Sequence, residues 1–207
     1  SVAAAFLTMG GLGLCGLTAT IFLMPADNTA VRLGRKRGSL REMTRSPVIR
    51  AVFATRITDN IGRKAFAAFL PLFGGMMLGL SATQIGLLMF INVGASTTTQ
   101  LFAGHITDRF NKKLLIIGTS LLAMIYMALI PEMRGFWMLA VLVVFNGSRA
   151  ALNNNSSSAL MVIEGRKFGM ATSMATFSLA VAIGEGIGPL LAGAIVDATS
   201  YASAFYV

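Results

Sequence analysis

Arg56, Asp59, Asn60 and Arg63 stand at i, i+3, i+4 and i+7, a spacing that places them on one face of a helix. Lys64 lies about 100° further round the axis. Guanidinium, carboxylate and carboxamide groups in that pattern can pair with one another or hold an anion. Asn92, Gln100, Arg149 and Asn153 add further polar side chains inside otherwise apolar sequence, and Glu185 is a lone acid in a long apolar stretch. A lone intramembrane carboxylate is a candidate proton carrier; its rival role is that of a fixed partner for Arg149 or Arg63. The chemistry on offer is ion pairing and proton exchange. Bond-making catalysis has no support: one histidine (His105) and one cysteine (Cys15) lie far apart, which gives no nucleophile–base set, makes a metal site improbable and implies no cofactor.

The elements that carry these groups are hydrophobic. The chain has 207 residues, 55% hydrophobic and 12% charged, with a mean hydropathy of +0.73. Soluble domains carry roughly 25% charged residues. Apolar runs at 2–24, 65–80 (extendable back to 51), 81–104, 114–130, 136–163 and 168–196 meet or approach the roughly 20 residues that cross a bilayer. The reading is an all-α polytopic membrane protein with six spans and the start of a seventh at Tyr201. Its first partner is therefore the lipid bilayer.

The net charge of +9 is distributed along the chain in a way that sets topology and does not point to nucleic acid. Arg32, Arg35, Lys36, Arg37, Arg41, Arg45 and Arg50 follow the first span; Arg109, Lys112 and Lys113 follow the third; Arg166 and Lys167 precede the sixth. The intervening connections hold only Arg134. This positive-inside pattern places 25–50, 105–113 and 164–167 in the cytoplasm, as in a multi-pass protein of the plasma (inner) membrane.

The spans differ in kind. The first and fourth are apolar throughout, whereas the second, third, fifth and sixth carry polar residues at membrane depth. From Arg50, Arg63 is roughly 20 Å along the helix at 1.5 Å per residue. Lipid cannot face such groups, so four helices are expected around a wet cavity lined by Arg56, Asp59, Asn60, Arg63, Asn92, Gln100, Arg149 and Asn153. Two alternatives stand beside this: Arg56 and Arg63 snorkel from a helix that projects into the cytoplasm, and Arg149 ends its span early.

The stretch "GHITDRFNKKLLI" resembles the signature cytoplasmic loop of the major facilitator superfamily. Gly104, Asp108, Arg109 and Lys113 match that pattern outright; Ile106, Thr107, Lys112 and Ile116 depart conservatively, and Asn111 replaces a glycine in what reads as a left-handed turn. Gly104 is expected to let two helix ends approach, and Asp108 to cap the following helix or pair with an arginine. "GEGIGPLLAG" resembles the family's glycine–proline motif, with Gly184 and Gly188 spaced for close helix contact and Pro189 weakening the backbone ladder.

The resemblance implies part of a twelve-helix bundle that moves a small solute by alternating access. On this reading residues 1–24 are the last helix of the N-terminal half, 25–49 a basic linker and 50–207 most of the C-terminal bundle. The missing N-terminal half would be the partner within the same polypeptide. The signature loop occurs in both halves, so a first-half assignment with an extra leading helix is the alternative. The resemblance also implies that the loop latches the cytoplasmic face. The excess of arginine over acid points to an anionic solute and Glu185 to proton coupling. A membrane-embedded sensor using the same bundle is the second functional class.

Overall fold

Pro47 opens the first described helix: its ring presets φ, and its missing N–H lies where no intrahelical partner exists. Ser46 takes the N-cap position without a side-chain capping bond. The computed structural model describes residues 45–198, within the unit Lys36–Val207. The expected span at 2–24, most of the basic linker and the start at Tyr201 lie outside the described residues.

The described helices are α1 (Pro47–Met76), α2 (Ala82–Arg109), α3 (Lys112–Leu129), α4 (Phe136–Phe168) and α5 (Met170–Ala198), with a 3-10 turn at Ile130–Glu132 between α3 and α4. Four of these segments, Ala82–Arg109, Lys112–Glu132, Phe136–Phe168 and Met170–Leu191, are long and apolar enough to cross a membrane. Helix α1 has the length, at 30 residues. It falls short on composition because its first part holds Arg50, Arg56, Asp59, Arg63 and Lys64. Its crossing requires that the charges at membrane depth face protein or a polar cavity and not lipid.

Local chemistry explains the helix ends. Ser81 Oγ accepts from Gln84 N at 3.3 Å, and Gln84 Oε1 accepts from Ser81 N at 2.9 Å. This reciprocal box starts α2. Ser81→Ala is expected to cost about 1 kcal/mol, read as a lowered melting temperature of the intact protein; an unchanged melt would show that bilayer packing alone fixes this end.

Two expected loops prove to be helical. Helix α2 runs on to Arg109, so Gly104, His105 and Asp108 lie in its last turns and only Phe110 and Asn111 connect it to α3. Asn111 has φ −65° and does not adopt a left-handed conformation. It acts instead as the N-cap of α3, its Oδ1 accepting from Lys113 N at 3.0 Å, the role expected of Asp108. Helix α4 likewise continues through 164–167 to Phe168. It stops at Gly169, whose φ of 107° is a conformation open to glycine but strained for other residues.

Helix α4 is the hub, with 44% of an 18-residue apolar stretch buried against 6% for that of α2. It packs on α2, α3 and α5, while α1 lies along α5. Towards one end Phe66, Phe69, Leu70 and Phe73 of α1 meet Leu88, Tyr126, Leu139 and Val143. Towards the other, Ile49 and Val52 meet Met161 and Phe177. The polar residues of α1 and α4 form a layer between these two apolar clusters. Leu101, Leu114, Met124, Trp137 and Val141 point outward, as suits a surface in lipid.

Candidate functional site

The polar layer contains two ionic clusters, each with two cations sharing one carboxylate. In the first, Arg149 Nη1 donates to Asp59 Oδ1 at 2.7 Å and Arg56 Nη1 lies 3.7 Å from Asp59 Oδ2. Their side chains are nearly sealed, with exposures of 3% for Arg56, 6% for Asp59 and 4% for Arg149. Burial of charge at this depth requires such partners. Arg56 is thus buried and does not snorkel, and Arg149 sits mid-helix and ends nothing.

Neutral groups complete the cluster. Asn153 Oδ1 and Asn154 Oδ1 accept from Arg56 at 3.2 and 2.9 Å, and Asn146 Oδ1 accepts from Arg149 Nη2 at 3.0 Å. Asn153 Nδ2 donates to Thr119 Oγ1 at 3.0 Å, which ties in α3. The Arg56 guanidinium also lies 4.9 Å from the Phe177 ring centroid, a cation–π contact from α5. Asn146, Thr119 and Phe177 were not singled out from the sequence, and Asn154 was noted only as part of the polar run beside Asn153. Asn146 was within reach of sequence reasoning, because it stands three residues before Arg149 on the same helical face.

The second cluster is open. Glu185 Oε1 accepts from Arg63 Nη2 at 3.1 Å and lies 3.5 Å from Lys64 Nζ. The exposures are 41% for each cation and 35% for the acid. Glu185 is therefore a partner of Arg63 and not a lone carboxylate. Asn60 joins the clusters: its Nδ2 donates to the Arg56 carbonyl at 2.7 Å, and its Oδ1 accepts from Arg63 at 2.6 Å.

Glycines bring α5 this close to α1. A Cβ at Gly184 would lie 2.6 Å from Ile57 O and 2.7 Å from Asn60 Cβ; one at Gly188 would lie 2.7 Å from Ile61 O. Pro189 lies within α5, one residue beyond.

The remaining expected site residues lie elsewhere. Asn92 Nδ2 donates to the Val143 carbonyl at 3.0 Å, Thr99 to Ser148 at 3.0 Å, and Thr107 and Ser156 are hydrogen-bonded at 3.3 Å. Gly147 packs directly on Asn92 O and Ser96 N. The polar stripe of α2 thus binds it to α4, and no water-filled cavity is needed to explain it. Gln100 is exposed, apart from both ionic clusters. In the signature stretch, Lys112 Nζ donates to the Thr107 carbonyl at 3.1 Å. Arg109 and Lys113 are exposed, Arg109 standing at the helix C-terminus where a cation is favoured. Asp108 is exposed and forms no ion pair with a described residue. A Cβ at Gly104 would meet nothing within 4 Å, so the close approach expected there is not made within the described bundle; it occurs at Gly147, Gly184 and Gly188.

Among the described residues no group of His, Cys, Asp and Glu is placed to hold a metal. Comparison with known proteins gives one family: the description of the Major Facilitator Superfamily matches residues 52–207. No curated protein and no solved structure matches. The match takes in both ionic clusters, the signature stretch and the glycine–proline segment, and it agrees with the all-helical, membrane-spanning architecture. The chain therefore belongs to the Major Facilitator Superfamily, a family of secondary transporters and not of enzymes, and it is an integral, multi-pass membrane protein.

Proposed function

We propose that this chain supplies most of the C-terminal half of a secondary transporter that moves a small anionic solute by alternating access, with proton coupling at Glu185. The observation that carries this reading is the half-exposed Arg63–Glu185–Lys64 cluster. It has one cation in excess and stands about 24 Å along α1 from Pro47. Residues buried inside the bundle hold it together, whereas this cluster remains open to a solute.

The N-terminal half precedes residue 25 in the same polypeptide, and the basic segments face the cytoplasm of the plasma (inner) membrane. Gly104 and Asp108, unoccupied by described neighbours, present the signature stretch to that other half as a latch. The test is transport by the intact polypeptide in proteoliposomes. Arg63→Gln should weaken uptake of anions selectively, and Glu185→Gln should abolish gradient-driven accumulation while sparing exchange. Equal loss for anionic, neutral and cationic solutes in Arg63→Gln would overturn the anionic reading.

A further inference from the structure

We infer that Asn60 is the positioning residue of the open cluster: it holds Arg63 by one terminal nitrogen, so that the other is left for the solute. This rests on the proposed anionic reading and deepens it. Asn60 is fully buried and cannot touch a solute itself. Both ends of its carboxamide are occupied. Nδ2 donates to the Arg56 carbonyl at 2.7 Å, and Oδ1 accepts from Arg63 Nη2 at 2.6 Å. Helix α5 closes on it from the side, since a Cβ at Gly184 would lie 2.7 Å from Asn60 Cβ. The carboxamide is thereby fixed in one orientation.

Arg63 Nη2 also donates to Glu185 Oε1 at 3.1 Å, so both of its hydrogens are engaged. Nε is buried. Nη1 has no partner and is the guanidinium nitrogen left open, on a side chain that is 41% exposed. Lys64 Nζ reaches the same Glu185 oxygen at 3.5 Å, so an anion arriving here is offered Nη1 and an ammonium. A carboxylate left to itself takes two guanidinium nitrogens in parallel bonds. Asn60 keeps Glu185 from doing so, because turning Nη1 towards the acid would break the bond to Oδ1. As a neutral acceptor it orients Arg63 without cancelling its charge, and the cluster keeps its one cation in excess.

The experiment is binding of methanesulfonate, a small monovalent anion, to the intact protein in detergent at fixed pH and ionic strength. Asn60→Ser separates positioning from packing. A serine hydroxyl in a helix donates to the carbonyl four residues back, as the hydroxyls of Thr55 and Thr58 do in α1 at 2.8 and 3.1 Å. The Arg56 carbonyl therefore stays satisfied while the shorter side chain withdraws the acceptor from Arg63. Affinity should fall about tenfold, the scale of one hydrogen bond to a charged group. In a Glu185→Gln background the acid that would capture Nη1 is gone, and the same substitution should change affinity by less than about twofold. An unchanged affinity in Asn60→Ser, or an equal loss in both backgrounds, would overturn the positioning role. If neither the wild type nor Glu185→Gln binds the anion, the anionic reading itself fails and this inference with it. Asn60→Thr, with the hydroxyl that α1 already carries at 55 and 58, enters the same cycle if Asn60→Ser does not fold.

Discussion

Asp59→Asn is expected to be the most damaging single substitution in the bundle. It keeps shape and removes the carboxylate that Arg56 and Arg149 share, both nearly sealed from solvent. Breaking a buried ion pair by removing one member costs about 3–5 kcal/mol. Here two cations would face each other across the vacated charge. The intact protein should melt far below the wild type, or fail to accumulate in membranes. Asp59→Asn with Arg149→Gln removes one charge of each sign and should recover part of the loss, a coupling that a double-mutant cycle measures. Should Asp59→Asn melt with the wild type, the layer does not hold α1 to α4. The open cluster makes the opposite forecast: neutralising Glu185, about one-third exposed, should alter transport with far less effect on folding.

Gly184→Ala and Gly188→Ala come next. The added Cβ atoms fall 2.6–2.7 Å from backbone oxygens of α1, closer than van der Waals contact allows. The helices must therefore separate. Overpacking of this kind costs about 1–3 kcal/mol, and the shift also lengthens the Arg63–Glu185 contact, so both melting temperature and transport should fall. Gly186→Ala is the control on the same helix. Its Cβ would meet nothing within 4 Å, and alanine has the better helix propensity, so that variant should match or exceed the wild type. Equal melting of the Gly184 and Gly186 variants would mean that α1 and α5 are not held at this seam.

Much of the fold was legible along the chain. Low charge, long apolar runs and alternating basic connections identify a polytopic membrane protein, because lipid tolerates only segments that satisfy their own backbone. Helix starts were set by local chemistry, at Ser46-Pro47 and at Ser81. Helix ends were less visible: α2 and α4 run on through charged residues because nothing local stops them before Phe110 and Gly169.

The sequence by itself determined which side chains lie at membrane depth and which share a helical face, since both follow from 1.5 Å and 100° per residue. It placed Arg56, Asp59, Asn60 and Arg63 together for that reason. Only the tertiary structure decided which face meets which helix, and hence what each polar group does. Asn92 and Thr99 became interhelical glue, Arg56 and Arg149 came to share one aspartate, and Glu185 gained two cations. Periodicity orients a side chain about its own axis. In a medium without water, the identity of a polar group's partner depends on the approach of a second helix, and that approach was set at Gly147, Gly184 and Gly188 by the absence of a Cβ.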